Sequence, residues 1–492
     1  MAAMRHLPWL TFLLFLACER GEAVNPFDAR PTPEAGPLDA APPPPPDAVL
    51  DQAVFDAEPD VLELDFGPRD AEVDFEPFEA GAPPYDLDAA HDPTTLAIEI
   101  IQDWQPVLGG VARQKRVSIT LDVLPSGRTL RVPLLYVAPT QGCPCNFFVV
   151  DGGHTPEVRA IDEITEALIG TRVGMVAVGI APLADLGEEG VAAHEELLAL
   201  LNETGDLRRT ELWLWGQAYL RAATAALTET DTFSPSRIGA AGRSRGGIAA
   251  STAVIHDPRF VALNTWLAPL SQLPEGALPE TPALRGTARR RLQFDAERMS
   301  MPIHHARALD ERRVDLLMHL ASNDLQTPGL LEAGSIDREF PICIEPNVGH
   351  GVVFRPQGAP VPVGQPFLDN RLSLLEFSLG RGSRQMTPPL ISARIVDGTL
   401  TVLARFRTVP RPNNATLWFT YDRAPDRDRL YEESVWENVP MSRLDNATFV
   451  ATLPVPEGPL TMDAFTYHTD QVNGRTRHVT SAYARFDLHP EE

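Results

Sequence analysis

A chain of 492 residues, 43% of them hydrophobic, is long enough for two folded domains with cores of their own. Acidic residues outnumber basic ones 67 to 42, giving a net charge of -25, and an isoelectric point near 4.9 argues against a nucleic-acid partner, which needs a basic surface.

The first 17 residues pair Arg5 with an apolar run over residues 7–16 and end on a small residue, Ala17. This is the pattern of a cleaved secretory signal, too short to span a membrane permanently. Phe15-Leu-Ala-Cys18 has the form of a lipobox, so Cys18 is expected to carry lipid and to start the mature chain. The alternative is a plain signal peptide beside an incidental cysteine. On the lipobox reading the protein is exported to a bacterial cell envelope, periplasmic or on the outer surface, and meets the membrane through its anchor.

Residues 18–92 read as a tether. Residues 19–92 hold 20 acidic residues against 3 arginines, which is 17 of the chain's 25 excess negative charges, and Pro42 to Pro46 form a polyproline run. Such charge disfavours collapse, and proline with self-repulsion keeps a segment extended. Calcium binding by these carboxylates is the other reading, but no EF-hand-like spacing occurs.

Residues 93–384 have the texture of an α/β domain. Alternation over residues 117–123 and a second run over 129–137, separated by Pro125-Ser-Gly127, predict an opening hairpin. Continuous apolar runs at 147–150, 173–178, 238–241, 261–266, 316–318 and 341–344 alternate with helical stretches, the pattern of a parallel sheet covered on both faces. Residues 269–313 are long for a connection and predict either a cap over a site or a surface helix.

Within that domain, Gly242-Arg243-Ser244-Arg245-Gly246 lies between a short apolar run and a small-residue helix start. That is a nucleophile elbow: a serine on a tight strand-to-helix turn, with glycines where a Cβ would collide with its neighbours. An acid and then a histidine should follow at strand ends. Asp324 comes after the run 314–321, and His350 sits on a glycine-flanked loop after the run 339–345. Eight histidines follow Ser244, namely His256, His304, His305, His319, His350, His468, His478 and His489, so the choice rests on position. Only His350 follows both a core strand and a strand-end acid, whereas His319 lies inside a strand. The oxyanion donors are expected to be the backbone amide of Arg245 and that of Gly153 or His154, in the loop Asp151-Gly-Gly-His-Thr155 after an earlier strand. Arg243 and Arg245, which flank the serine, either favour anionic substrates or lie on the surface.

Residues 388–488 change to short, closely spaced strands at 390–396, 399–406, 415–420, 448–453, 461–467 and 481–486, predicting an immunoglobulin-like β-sandwich that packs on the first domain or binds a surface. Besides Cys18 there are Cys143, Cys145 and Cys343, enough for one disulfide with a thiol left over. No cofactor is implied, and the cysteines and histidines show no zinc-site spacing.

Over residues 212 to the C-terminus the chain resembles the PhoPQ-activated pathogenicity-related proteins, a branch of the α/β-hydrolases. The resemblance rests on Trp213-Leu-Trp215, Gly242-Arg-Ser-Arg-Gly-Gly247, His256-Asp-Pro-Arg-Phe-Val-Ala262, Ala321-Ser-Asn-Asp324 and Pro346-Asn-Val-Gly-His350, with Thr416-Leu-Trp418 and Asp426-Arg-Asp-Arg429 similar to the family's C-terminal β module. It implies the same nucleophile, acid and base. Gly246 stands where many members carry arginine. The function expected is an exported, lipid-anchored serine hydrolase that cleaves an ester or amide bond in a small molecule or peptide through Ser244, Asp324 and His350. A serine peptidase of the same fold and a non-catalytic surface-binding lipoprotein are the alternatives.

Overall fold

The apolar runs become the middle of one nine-stranded mixed sheet in the computed structural model of the chain. It describes residues 84–153, 170, 172–274, 276–279, 281–282, 284–324, 329–350, 364–378, 384–407, 412–421, 434–458 and 461–488. All of these belong to one unit, residues 64–492. The signal segment, Cys18 and the tether up to residue 83 lie outside the described residues.

In chain order the elements are α1 (Leu87–His91), β1 (Glu99–Val107), β2 (Ala112–Val123), β3 (Thr129–Pro139), β4 (Cys145–Asp151), β5 (Gly174–Val178), α2 (Gly187–Thr204), α3 (Glu211–Leu227), β6 (Phe233–Arg243) and α4 (Arg245–His256). There follow β7 (Phe260–Trp266), α5 (Thr287–Ser300), α6 (Ala306–Glu311), β8 (Asp315–Ala321), α7 (Leu330–Ile336), β9 (Ile342–Glu345) and α8 (Gln365–Ser378). The sheet order is β1-β2-β3-β5-β4-β6-β7-β8-β9. The strands from β5 to β9 pair in parallel, and β1, β2 and β3 join them in antiparallel fashion.

Both faces of the parallel part are covered, as its continuous apolar runs require. Phe147, Val149, Ile238 and Ala240 share a core with Ala218 and Ala222 of α3 and Ala249 and Ala253 of α4. Phe148, Val150 and Ala241 point to the opposite face, where Phe367 of α8 covers them. Small residues let α3 and α4 approach closely: a Cβ on Gly216 would meet Thr252 Cγ2 at 2.7 Å.

The folded chain starts earlier than residue 93. Tyr85 is stacked on Trp213 with ring centroids 5.2 Å apart, its hydroxyl donates to Trp213 O, and Trp213 Nε1 donates to Pro84 O. Two stacked rings and the buried Ala90 anchor residues 84–92, which the charge of the longer segment had assigned to the tether. Residues 269–313 supply α5, which packs beside α4 through Leu292, Ala296 and Met299 in the main core.

The remaining strands are β10 (Leu390–Val396), β11 (Thr399–Arg405), β12 (Asn414–Thr420), β13 (Glu437–Pro440), β14 (Ser442–Arg443), β15 (Thr448–Pro454), β16 (Thr461–Val472), β17 (Arg475–Thr480) and β18 (Ala484–Asp487). They form an antiparallel sheet β10-β11-β15-β14 and another of order β13-β12-β16-β17, with β18 on β16. The two share one cluster, to which Leu400, Val402 and Phe449 contribute from the first and Leu417, Phe419 and Met462 from the second. Trp418 alternates to the other face of β12, where it joins Trp436, Phe465 and Tyr483 against Met318, Leu320, Ile342 and Ile344 of the large sheet. Strand β12 therefore buries Trp418 on its outer side, where the edge of the large sheet lies, while Asn414, Thr416 and Thr420 on the same face are polar.

Cys145 on β4 and Cys343 on β9 are separated by β6, β7 and β8, a span of about 19 Å at strand spacing that no disulfide bridges. Cys143 and Cys145 lie with their Sγ atoms 3.1 Å apart, and all three cysteines are free thiols.

Candidate active site

The turn between β6 and α4 is built on Ser244, whose backbone has φ 49° and ψ -117°. A non-glycine residue in that region is strained by about 1–3 kcal/mol and persists only where its surroundings hold it. Two backbone hydrogen bonds do so: Ser244 N donates to Trp266 O at 2.8 Å and Ser244 O accepts from Ile248 N at 3.1 Å. The flanking glycines are close-approach positions. A Cβ on Gly242 would overlap the carbonyl of Gly246, and one on Gly246 would lie 2.5 Å from Asp151 Oδ2.

The ends of β8 and β9, beyond the intervening β7, bring the other residues. Asp324, 2% exposed, follows β8 through Ser322 and Asn323. His350 follows β9, and its Nδ1 lies 2.9 Å from Asp324 Oδ2. A carboxylate oxygen only accepts, so Nδ1 donates and Nε2 is left as the acceptor, 2.9 Å from Ser244 Oγ. Three residues from three strand ends thus form one line of hydrogen-bond contacts that ends on the Ser244 hydroxyl.

The two flanking arginines divide their tasks. Arg243 Nη2 donates to His350 O at 3.0 Å while its guanidinium lies 5.2 Å from the centre of the Trp266 ring, so the side chain braces the histidine loop. Arg245 opens α4 and stacks over Trp215 at 4.8 Å. Trp215 is also one wall of an apolar cavity of about 40 Å³, shared with Ile180, Leu183, Leu214 and Ala218.

The backbone amide of Arg245 is among the first-turn donors of α4, the location an oxyanion donor requires. Gly153 differs from expectation: its amide donates to Asp151 Oδ1 at 2.8 Å and is committed there. The physical reason is local competition, since an aspartate side chain readily takes the amide two residues on. His154 lies outside the described residues.

The strand ends also carry polar groups that the sequence reading passed over. Asn323 and Asn347, each 1% exposed, flank the acid and base loops. Glu345, at the end of β9, is 2% exposed; burial pushes its carboxyl up to about 7, and Oε2 accepts from Gly364 N. His319 is fully buried inside β8, five residues before Asp324; donor Asn370 Nδ2 lies 3.3 Å from its Nε2, and burial pushes it down to about 3. Among the described residues there is no cluster of side chains able to hold a metal ion, and no helix is long and apolar enough to cross a membrane.

No protein-family model matches the chain, and no curated protein does. Among solved structures it is similar to a glucuronoyl esterase from Solibacter usitatus, with 17% identity and a TM-score of 0.32 over 48% of this chain and 70% of that one. It is similar also to acetyl xylan esterase 1 from Thermoanaerobacterium sp., with 14% identity and a TM-score of 0.34 over 62% of this chain and 96% of that one. A puromycin-hydrolysing peptidase from Mycobacterium tuberculosis matches with 18% identity and a TM-score of 0.35 over 57% of this chain and 42% of that one.

Proposed function

We propose that the chain is a serine hydrolase of α/β-hydrolase type that cleaves an ester or amide bond in a small molecule or peptide. The observation that carries this reading is the continuous line from Asp324 Oδ2 through His350 to Ser244 Oγ, two contacts of 2.9 Å each, ending on a serine held at φ 49°.

The chemistry follows from those atoms. His350 Nε2 takes the hydroxyl proton as Ser244 Oγ bonds to the substrate carbonyl carbon, and the carbonyl electron pair moves to oxygen. The Arg245 amide donates to that oxyanion. When the carbonyl re-forms, the bond to the leaving alcohol or amine breaks, and the leaving group receives the proton from Nε2. Water, deprotonated in turn by Nε2, attacks the acyl-enzyme; Ser244 Oγ leaves and recovers the proton. Asp324 stays ionised, fixes the tautomer and stabilises the transient imidazolium. No step needs a cofactor.

In this reading the chain is a member of the PhoPQ-activated pathogenicity-related family, its C-terminal module an immunoglobulin-like sandwich, and the enzyme is exported and held at the cell envelope by lipid on Cys18. The decisive experiment is labelling with a fluorophosphonate: wild type should be labelled at Ser244 and Ser244→Ala should not. Labelling that persists in Ser244→Ala removes the mechanism. For the anchor, Cys18→Ser should abolish lipid incorporation and membrane partitioning, and a mature N-terminus other than Cys18 by mass spectrometry overturns that part alone.

A further inference from the structure

The acid and base loops are tied together by a short connector, residues 434–436, which leads into β13 of the C-terminal module. Asn323, next to Asp324, donates from Nδ2 to Ser434 O at 2.7 Å. Asn347, three residues before His350, makes a two-way contact with Trp436: its Nδ2 donates to Trp436 O at 3.0 Å, and its Oδ1 accepts from Trp436 N at 2.9 Å. The loops are also linked to each other. Asn347 N donates to Ser322 Oγ at 2.8 Å, Ser322 Oγ donates to Asn323 Oδ1, and Asn323 N donates to Val348 O at 2.9 Å.

None of these groups reaches water: Ser322, Asn323, Asn347, Ser434 and Trp436 are all 4% exposed or less. A buried polar network favours one geometry, and removing a member takes from its immediate partner a hydrogen bond that water cannot replace there. The connector is itself rigidly seated, since Trp436 packs on Phe465 at 4.9 Å and on Tyr483 at 5.6 Å between ring centroids. Asn347 has φ 59°, a conformation that asparagine tolerates better than most residues, so the residue type is called for by backbone and side chain alike.

We propose that the connector carrying Ser434 and Trp436 is a positioning element of the active site, clamping the Asp324 and His350 loops through Asn323 and Asn347 so that the C-terminal module is part of the catalytic machinery. This rests on the hydrolase reading above. Asn323 and Asn347 are positioning residues: they touch neither substrate nor reacting atoms, and they act by fixing the His350 imidazole relative to Asp324 and Ser244. A displacement of about 1 Å at such a group costs on the order of 100-fold in rate.

The test uses the full chain with Asn323→Ala and Asn347→Gly, glycine being chosen because it accepts the positive φ. Turnover and the rate of fluorophosphonate labelling should each fall by about 10- to 100-fold with KM little changed. The hydrogen-bonded imidazole proton of His350, read by NMR without any substrate, should broaden or vanish while far-UV circular dichroism stays that of wild type. Asn347→Asp keeps the acceptor for Trp436 N but loses the donor to Trp436 O, and should fall between; it also carries the test if the glycine variant does not fold. Wild-type labelling rates and an unchanged imidazole signal in folded variants would overturn the clamp, as would a loss confined to melting temperature. Failure of wild type itself to label would sink the hydrolase reading, whereas the imidazole signal would still report on the clamp.

Discussion

The amide of Ser244 donates to the carbonyl of Trp266 at 2.8 Å, which pins a serine in a conformation it would not adopt unaided. The neighbouring strand thus bears part of the cost of presenting the hydroxyl. Stability and activity should therefore separate at this residue. Ser244→Gly relieves the strain but gives the unfolded chain more freedom, so the net gain should be about 1 kcal/mol, with turnover abolished. Urea unfolding checks the first part and labelling the second. A glycine variant less stable than wild type would show that the turn is not strained in solution.

His350 and Asp324 should behave as a unit with the serine. His350→Ala is expected to lower kcat by about 10⁴-fold or more, and Asp324→Asn by about 10⁴-fold, because an amide no longer fixes the tautomer that leaves Nε2 as acceptor. Adding Asp324→Asn to His350→Ala should cost little more, since one relay is already broken. Additive losses would mean the two residues act separately. Replacing His319 provides the control: it is buried inside β8 with Asn370, makes no contact with the serine or the imidazole, and should change stability while labelling per folded molecule stays the same.

The strand ends bearing Ser244, Asp324 and His350 were legible because each follows a continuous apolar run, and a parallel sheet puts the ends of such runs on one side. What was not legible depends on partners far away in the chain or on an unusual environment. Strand β1 carries Ile100 and Ile101 at 56% and 60% exposure, so no burial pattern marks it as a strand. Strand β17, Arg-Thr-Arg-His-Val-Thr, reads as polar, yet His478 is bound to Asn370 of α8. Asn323 and Asn347 meet their partners across 111 and 89 residues, a distance no local pattern conveys. Gly153 failed for the opposite reason: the competing group, Asp151, was only two residues away.

Gly246 tests how tightly the elbow fits its surroundings. A Cβ there would lie 2.5 Å from Asp151 Oδ2 and 2.6 Å from Asp151 Cβ, too close for real contacts. Gly246→Ala should lose about 1–3 kcal/mol of stability and slow labelling by displacing the turn. Combining it with Asp151→Gly removes the obstructing side chain, so the double variant should be less destabilised than the sum of the two single changes. Simple additivity in chemical denaturation would place the strain elsewhere.

Stability should depend on pH through groups that burial keeps uncharged. Burial pushes His319 and His468 down to about 3 and His256 to about 4, from an ordinary 6.5. The folded state holds these rings neutral where the unfolded chain takes up protons, so their contribution is complete above pH 6.5 and is lost progressively as the pH falls towards 3–4. Glu345 works in the other direction. Its carboxyl is raised from 4.5 to about 7, so the folded state keeps a proton that the unfolded chain has released, and stability from this group falls as the pH rises from 4.5 to about 7. Three histidines against one glutamate give a net loss on acidification below about 6.5. Glu345→Gln isolates the opposing part. Relative to wild type it should gain up to about 3 kcal/mol between pH 4.5 and 8, the equivalent of the shift in its carboxyl. Urea midpoints across that range read the difference directly, and a wild-type-to-variant gap that stays constant with pH would mean that Glu345 is ionised in the folded protein throughout.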